Sequence, residues 1–327
     1  MGDRVSSVTT QVSAPARTPT LSHRVEYGAL RSAIGVLGAM RWRRAVRAGA
    51  AIGRLAYQPF GIRREVVESQ IAAAFPEASE REVRSLARGA FEHLGRVTVE
   101  TALLSRVDPA WVLDLFEGVD GWDVVERLRA KGRGLIMVTG HLGNWELGGA
   151  YIATRGVPLD VVVRRMGNPL FDGYLTRTRR RLGMAVVRDR DAVRRTPRTL
   201  RASGAVAFLT DQAGLNLAST FVPFFGRPAK TPRGPAVFAL RLDAPVVFGT
   251  ALRLDNGRYR LSFEEVAAPE SGDVDRDVDD LVASYTRILE KWVRRAPEQY
   301  FWQHRRWKRQ PEGTPEELRD PVETSRE

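Results

Sequence analysis

The amino-acid sequence predicts an α/β fold, a mixed sheet flanked by helices, with a helical extension at the N-terminus. Two patterns lead to this prediction. After residue 132, short apolar runs bounded by glycine alternate with amphipathic stretches, as strands and helices do in an α/β core. Before residue 110, apolar residues recur at helical spacing. The chain has 327 residues, 43% of them hydrophobic, and is therefore long enough to bury such a core.

The chain divides into four predicted regions. They are a disordered tail (1–22), an N-terminal helical region (23–110), the α/β core (111–310) and an acidic disordered tail (311–327). In the helical region, residues 25–57 mix small and apolar residues with Arg and favour amphipathic helices that lie in a membrane interface or, equally, against the core. The last 17 residues carry six carboxylates and two Arg, a composition typical of a solvated segment.

The individual elements follow from local signals. Further helices are expected at 63–75 and 79–104, where Ser79 and Glu82 form a capping box. The stretch 134–139 is an apolar run between glycines, typical of a buried parallel strand. Other strands are predicted at 159–163, 185–187, 206–210, 246–252 and 258–263. Core helices are predicted at 144–154, 170–182, 193–203, 235–240 and 278–296.

Charge and composition limit the classes of function. The formal net charge of +12 favours anionic partners such as phospholipid headgroups, nucleic acid or acidic carrier proteins, although only four of the 51 basic residues are Lys and GC-rich coding often produces such an Arg excess. The absence of Cys excludes thiolate nucleophiles and disulfides. No apolar stretch approaches the ~20 residues that span a bilayer, so any membrane attachment is expected to be peripheral.

The most informative stretch is 138–148, in which a buried strand ends in a glycine turn that delivers His141 just before a helix. Glu146 follows five positions later, where its carboxylate can bend back to the imidazole, fix the tautomer and stabilise the imidazolium. His141 is therefore predicted to be a general base, with the helix N-terminus near a developing oxyanion. A hydrogen-bonded structural histidine is the competing interpretation. No Gly-x-Ser-x-Gly elbow, P-loop, dinucleotide fingerprint or His-Glu-x-x-His zinc motif accompanies it.

Several further blocks occur in a fixed order along the chain. They are Arg164-Arg-Met-Gly-Asn-Pro169, Asp211-Gln212, Phe224-Phe-Gly-Arg-Pro-Ala-Lys-Thr-Pro-Arg-Gly234 and Pro297-Glu-Gln-Tyr-Phe-Trp-Gln-His-Arg-Arg-Trp-Lys308. Together with His141-Leu-Gly-Asn-Trp-Glu146, a His-x4-Glu motif, they resemble the bacterial lipid A lauroyl/myristoyl acyltransferases of the glycerolipid acyltransferase superfamily. Phosphatidylinositol mannoside acyltransferases are similar in the same blocks. The resemblance covers about residues 25–310 and implies an acyltransferase-type sheet.

The same blocks supply candidate substrate-binding residues. Arg164 and Arg165 are candidates for binding a phosphate or polarising a thioester carbonyl, and Asn168 belongs to their Asn-Pro context. Asp211 and Gln212 follow a predicted strand, where open α/β sheets present ligand-binding groups. The proline-stiffened segment that follows offers an apolar wall and two cations: Phe224, Phe225, Gly226, Lys230 and Arg233. Surface charge, a turn-forming Asp and an ordinary rigid loop are the respective alternatives.

Residues 302–308 interleave aromatic and basic side chains. This composition suits a nucleic-acid stacking surface and a membrane interface equally. His304 has no carboxylate in its local turn and is interpreted as structural, as are His93 and His23.

Taken together, the residues and the resemblance predict a peripheral enzyme on the cytoplasmic face of the inner membrane. It is expected to transfer an acyl chain from acyl carrier protein or acyl-CoA to a hydroxyl of a membrane glycolipid such as a lipid A precursor, with His141 and Glu146 as its catalytic pair. It is expected to bind anionic membrane surfaces and to need no metal or prosthetic group. A basic nucleic-acid-binding protein, suggested by the Arg clusters at 177–201 and 294–309, and a non-catalytic lipid-surface adaptor are the alternatives; no nucleic acid is expected as partner.

Overall fold

The computed structural model describes residues 18–212 and 218–324. Most of the predicted N-terminal tail lies outside this part of the chain. Four helices form the N-terminal region, and the capping box predicted at Ser79 and Glu82 is present. They are α1 (Leu21–Gly38), α2 (Trp42–Tyr57), α3 (Arg64–Ala74) and α4 (Glu80–Leu103). In the described residues, none of the helices combines the length and apolarity needed to cross a bilayer.

Helix α2 packs against α4 through glycines. A Cβ atom added at Gly53 would lie 2.0 Å from the carbonyl oxygen of Phe91, and one at Gly49 would lie 2.5 Å from that of Gly95. These glycines therefore allow the two backbones to touch, and tertiary contact stabilises a helix whose composition is weakly helical. Trp42 stacks edge-on against Trp111 at 5.1 Å and is partly buried. On this side, α2 lies against the core.

The core alternates strands and helices from residue 111 onward. The strands are β1 (Phe116–Asp120), β2 (Leu135–Thr139), β3 (Leu159–Val163), β4 (Met184–Arg188), β5 (Ala205–Leu209), β6 (Ser219–Phe224), β7 (Arg227–Pro232), β8 (Val246–Arg253) and β9 (Tyr259–Val266). The helices are α5 (Trp111–Asp114), α6 (Trp122–Ala130), α7 (Trp145–Thr154), α8 (Pro169–Arg181), α9 (Ala192–Arg201), α10 (Gly234–Arg241), α11 (Val274–Arg295) and α12 (Pro321–Thr324). Each of the six predicted strands is present within three residues of its expected ends.

Seven strands form one mixed sheet in the order β1-β9-β8-β2-β5-β3-β4. The pairs β8/β2, β2/β5, β5/β3 and β3/β4 are parallel, and β8/β9 is antiparallel. The predicted mixed α/β architecture is thus confirmed. Strand β1 and the antiparallel hairpin of β6 and β7 were not predicted. In the hairpin, Pro223, Pro228 and Pro232 conceal the strand pattern, because proline disfavours a sheet except at edges.

Apolar side chains cover both faces of the sheet. Along β2, Ile136 and Val138 belong to one buried cluster, and Leu135 and Met137 belong to the other. Because successive strand residues point to opposite faces, a strand buried on both faces is apolar throughout. Helices α10 and α11 cover the first face, and α6 and α7 cover the second. The parallel strands β2, β3 and β5 therefore end together at one edge.

The C-terminal segment differs from the sequence-based expectation. Residues 311–324 were expected to be a solvated tail, but they pack on the core. Asp320 is buried and forms an ion pair with Arg305, and Val322 is buried as well. A buried carboxylate with an Arg partner and an apolar anchor accounts for this packing despite the acidic composition. The last three residues lie outside the described part of the chain.

Candidate functional site

The site begins in the loop between β2 and α7, which is held from two later parts of the chain. The carbonyl oxygen of His141 accepts the backbone N–H of Phe301 at 3.0 Å, and the N–H of Gly143 donates to Gln299 at 3.0 Å. The N–H of Asn144 donates to the carbonyl of Ala251 in β8 at 2.9 Å. Gly143 has φ +61°, and a Cβ there would lie 2.0 Å from the same carbonyl, so only glycine fits.

A buried polar network supports this loop from below. Asn144 is fully buried, caps α7 by accepting the N–H of Leu147 at 3.1 Å, and donates its amide to Glu100 at 2.9 Å. Glu100, also fully buried, is paired with Arg253 and accepts the hydroxyl of Tyr259. Burial raises the pKa of Tyr259 well above its usual value, so the phenol keeps the proton that it donates. Hydrogen bonds therefore link Asn144, Glu100, Tyr259 and Arg253 in one buried network, which fixes the start of α7.

A second buried group holds the loop at Gly143. The Nε2 atom of His93 lies 3.1 Å from the carbonyl oxygen of Gly143 and donates to it. Burial lowers the pKa of His93 to about 3, an effect that this hydrogen bond opposes. His93 is therefore neutral at physiological pH and acts as a structural donor.

Asp211, directly after β5, holds the imidazole of His141. Its Oδ1 lies 2.8 Å from Nδ1 of His141, and its Oδ2 accepts the backbone N–H of the same residue at 2.9 Å. Burial alone would raise the pKa of this carboxyl, but the charge of His141 and these hydrogen bonds outweigh it, and the pKa falls to about 2. Asp211 is thus ionised and buried. It orients the imidazole through Nδ1, so that Nε2 does not contact Asp211. The side-chain amide of Gln212 lies 3.3 Å from Nδ1.

Glu146 has a different partner from the one expected. Its carboxylate forms two hydrogen bonds with Arg179 of α8, at 3.0 Å from Nε and 2.5 Å from Nη2. No hydrogen bond joins Glu146 to His141 within residues 18–212 and 218–324. The reason is geometric: Glu146 lies in the first turn of α7 and faces α8, whereas the end of β5 brings Asp211 to the imidazole. The carboxylate that sequence reasoning assigned to the base is therefore supplied by Asp211.

A cavity of about 640 Å³ opens beside His141 at the carboxyl ends of the parallel strands. Trp145, Glu146, Arg179 and Gln212 line its mouth region together with His141. The rest of its wall is mainly apolar: Met137, Val138, Ile152, Leu159, Val161, Met184, Ala207, Phe208, Phe238, Leu261 and Phe263. A mostly apolar cavity with a few convergent polar groups is the usual form of a ligand site. Its position matches the carboxyl-edge rule for open α/β sheets.

Only part of the segment 164–169 lines this cavity. Arg164 lines it, is largely exposed and lies 3.7 Å from Asp189. Arg165 is exposed and does not line it. Asn168 is buried and caps α8, and its amide donates to the carbonyl of His23 at 3.0 Å and to Glu26 at 2.9 Å. Asn168 therefore joins α8 to α1, a structural task in place of the expected substrate contact.

The Phe-Phe-Gly segment was expected to wall the acyl groove, but it faces the core. Phe224 is fully buried and Phe225 is nearly so, and neither lines the cavity. Gly226, with φ +72°, makes the turn of the β6–β7 hairpin. Lys230 lies in β7 away from the cavity, and Arg233 is paired with Asp275 at 3.0 Å and Asp279 at 2.7 Å. Of this segment, only Pro232 and Gly234 reach the cavity.

The aromatic and basic side chains of 302–308 are largely internal. Trp302 and Trp307 are fully buried, and Arg306 is buried with its guanidinium on the carbonyl of Lys230 and the hydroxyl of Thr231, both at 2.6 Å. Burial lowers the pKa of His304 to about 4. These residues therefore form neither a stacking surface nor a membrane interface. Several arginines of the two clusters are also paired with carboxylates: Arg179, Arg188, Arg195, Arg294 and Arg305.

Arg179 and the Glu100 network belong to the candidate site and were missed by sequence reasoning. Arg179 stood in a run of arginines, and nothing in the sequence distinguishes it from its neighbours. Glu100 offered a weak signal, since it is a charged residue among the apolar positions of a helix. No three His, Asp or Glu side chains converge on a potential metal position in the part of the chain that the structure describes.

The chain is similar to known bacterial acyltransferases. A family model described as bacterial lipid A biosynthesis acyltransferase matches residues 18–309. The lipid A biosynthesis palmitoleoyltransferase of Escherichia coli (strain K12) is 32% identical over 268 residues, which cover 81% of this chain and 85% of that protein. The lauroyltransferase of the same organism is 29% identical over 276 residues, covering 82% and 87%. Its myristoyltransferase is 22% identical over 253 residues, or 77% of each chain.

Proposed function

The chain belongs to the bacterial lipid A biosynthesis acyltransferase family, and from this premise we propose that it transfers a fatty acyl chain from a thioester donor to a hydroxyl of a glycolipid such as a lipid A precursor. The donor is an acyl thioester of acyl carrier protein or of CoA. The observation that supports the reaction most directly is the pairing of His141 with a buried, ionised Asp211 at the mouth of an apolar cavity. This is the arrangement that a general base needs.

In the proposed reaction, Nε2 of His141 removes the proton of the acceptor hydroxyl. The hydroxyl oxygen attacks the thioester carbonyl carbon, the C–S bond breaks, and the imidazolium returns the proton to the departing thiolate. The products are an ester and the free carrier thiol. Asp211 holds Nδ1 and stabilises the imidazolium, as an orienting carboxylate does in related catalytic arrangements.

Stabilisation of the oxyanion has to come from groups that are not already used. The N–H groups of Gly143 and Asn144 both donate to backbone carbonyls. Two groups beside the imidazole remain available to stabilise the oxyanion. One is the start of α7 beyond these residues, which is the positive end of the helix dipole, and the other is the side-chain amide of Gln212. Arg179 holds Glu146 in the first turn of α7, which keeps that helix start in place. Glu146, the glutamate of the His-x4-Glu motif, is thus proposed to act through Arg179 and α7.

The apolar wall of the cavity is proposed to hold the acyl chain. Strands β2, β3, β5 and β9 and helix α7 contribute this surface, and its volume of about 640 Å³ suits a ligand of drug size or larger. Burial of each methylene contributes about 0.8 kcal/mol, so a long chain is held firmly without polar contacts. The reaction requires no metal or prosthetic group.

The enzyme is proposed to act peripherally on the cytoplasmic face of the inner membrane. Exposed apolar side chains on α1 and α2, among them Val25, Val36, Ile52 and Leu55, support contact with a lipid surface. The arginines Arg41, Arg43, Arg44 and Arg47 at the start of α2 are exposed too. A phosphatidylinositol mannoside acceptor within the same family is the second candidate, though the curated relatives reported above bear lipid A names.

A reconstituted assay tests the proposal. Purified protein is incubated with acyl carrier protein or CoA thioesters and, in separate arms, with a lipid A precursor or a phosphatidylinositol mannoside, and the acylated lipid is identified by mass spectrometry. We expect transfer to the lipid A precursor, and His141→Ala should reduce it by about 10²- to 10⁴-fold while the protein stays folded. Near-normal turnover by folded His141→Ala protein would contradict the mechanism, and transfer only to the mannoside would replace the acceptor.

A further inference from the structure

A second cavity lies on the other side of α8 from the catalytic one. Its volume is about 530 Å³, and it is bounded by α1, the 3-10 turn at Leu104–Arg106 and α8. Four arginines line it: Arg31, Arg106, Arg177 and Arg181. No acidic side chain of the described residues is part of its wall, and none of the four arginines has a carboxylate partner there. Within residues 18–212 and 218–324, these four have no ion-pair partner, unlike the paired arginines of α8 and α9.

Backbone carbonyls hold two of the four arginines in place. Arg106 donates from Nη1 to the carbonyl of Ile34 at 3.3 Å, and Arg181 donates to the carbonyls of Leu104 and Val107. The guanidinium of Arg31 lies 5.8 Å from the ring centre of Tyr174. Each guanidinium has five N–H groups, so the carbonyl contacts of Arg106 and Arg181 leave several for a ligand. Such a cluster of oriented, unpaired guanidinium groups suits a phosphate oxyanion.

Two glycines of α1 shape this cavity. A Cβ at Gly38 would lie 2.0 Å from Nη1 of Arg106, so glycine allows that arginine to cross the helix. Gly35 lines the cavity, and a Cβ there would meet nothing within 4 Å. The space in front of Gly35 is therefore open to a ligand.

The surroundings indicate where the phosphate comes from. Leu21, Val25 and Val36 are exposed on α1, and at 100° per residue they fall within about 60° of one another around the helix. Gly35 borders this stripe. An exposed apolar stripe next to a basic cavity matches the two layers of a bilayer surface, acyl chains and charged headgroups. A concave, half-open cavity also fits a headgroup better than it fits the convex surface of an acidic protein.

We propose that this four-arginine cavity binds the phosphate of a membrane lipid headgroup, beside and separate from the acyl-transfer cavity. Helix α8 stands between the two sites: Arg179 lines the catalytic cavity, whereas Arg177 and Thr178 line the headgroup cavity. A lipid bound there places the bilayer surface at a fixed position relative to His141.

Binding is measured without an acyl donor, so its outcome does not depend on the proposed reaction. The probe is phosphatidylcholine vesicles with and without phosphatidic acid, in a co-sedimentation series, and a parallel calorimetric titration uses inorganic phosphate. Gly35→Glu places a carboxylate in the cavity, and Arg31→Gln/Arg177→Gln removes two cations. The matched controls are Gly28→Glu, two turns earlier on α1 with open space at its Cβ, and Arg81→Gln/Arg88→Gln on the exposed face of α4. Circular dichroism confirms folding.

We expect each unit of charge to contribute about fivefold, so the double arginine variant should bind phosphatidic acid vesicles about 25-fold more weakly, and Gly35→Glu about fivefold more weakly. Both controls and His141→Ala should stay within about twofold of the parent protein. Equal losses in Gly28→Glu and Gly35→Glu would show diffuse charge attraction and overturn the proposal. So would calorimetric binding of inorganic phosphate without vesicle dependence, or binding of an acidic carrier protein that Gly35→Glu abolishes while vesicle binding is unchanged.

Discussion

Nδ1 of His141 lies 2.8 Å from a carboxylate oxygen of Asp211, whose other oxygen accepts the backbone N–H of the same histidine. One carboxylate therefore fixes both the ring and the backbone of the proposed base. It comes from the end of a neighbouring parallel strand, 70 positions further along the chain.

Asp211→Asn tests this pairing. An amide can still hydrogen-bond Nδ1, but it cannot compensate the imidazolium charge, and removal of an orienting carboxylate in a related arrangement costs up to about 10⁴ in kcat. We expect a loss of this size in kcat with a smaller change in KM, measured by transfer from the acyl thioester. Gln212→Ala, which removes only the adjacent amide, is the comparison. Retention of most activity in Asp211→Asn would show that the carboxylate is only structural.

Glu146 and Arg179 are expected to act as one unit. Glu146→Gln leaves the guanidinium of Arg179 without its counter-ion, and breaking such a pair costs about 3 kcal/mol in the free energy of unfolding. The double variant Glu146→Gln/Arg179→Gln should recover much of that stability, measured by urea denaturation. A double-mutant cycle gives the coupling free energy between Glu146 and Arg179. Additive effects of the two substitutions would contradict a shared role, and direct action of Glu146 on the base would then be favoured.

Stability is expected to depend on pH through His93. Its folded-state pKa of about 3 lies below the ordinary value of 6.5, so between these values the unfolded chain binds the additional proton. The contribution of neutral His93 to the free energy of unfolding is complete above pH 6.5. It is lost as the pH falls toward 3, by at most about 1.4 kcal/mol per pH unit. His93→Gln keeps a hydrogen-bond donor for the carbonyl of Gly143. This substitution should flatten the pH dependence of the unfolding free energy between about pH 4.5 and 6.5. His23→Gln at the start of α1 is the matched histidine removal, and an unchanged slope in His93→Gln would count against this account.

The arginines at the start of α2 are expected to attract anionic bilayers. Arg41, Arg43, Arg44 and Arg47 are exposed, and each cation near such a surface contributes about 1 kcal/mol at low salt. Replacement of all four by Glu should abolish binding to anionic vesicles, and added salt should weaken binding of the parent protein. Trp42 is partly buried against Trp111 and should contribute little to this binding. Equal binding of both proteins to neutral and anionic vesicles would rule the prediction out.

The sequence predicted the elements of the sheet well because buried parallel strands are continuous apolar runs, and 159–163 matches β3 at both ends. It located His141 for a related reason, since a strand, a glycine turn and a helix are local signals. It placed Asp211 near the ligand edge but assigned the wrong partner to the imidazole. Which carboxylate reaches a histidine depends on strand order, and the adjacency of β2 and β5 cannot be read from either segment alone.

Segments with mixed composition were harder to interpret. Trp302 and Trp307 have the composition of an exposed surface, yet both are fully buried, because long-range packing against Phe224 and its neighbours provides their partners. Residues 311–324 have the composition of a solvated tail, and the burial of Asp320 depends on Arg305. In both cases the deciding contact is made by a residue whose orientation the local sequence does not reveal.

The loop that carries His141 is clamped by β8 and by residues Gln299 and Phe301, which are synthesised long after it. Contacts between such distant parts of a chain form late, because the entropy of closing the intervening loop must be overcome first. A nascent chain still short of residue 299 therefore lacks two of the backbone contacts that hold the His141 loop. Acyl transfer should then begin only after residues 299–301 have been added and have packed against this loop.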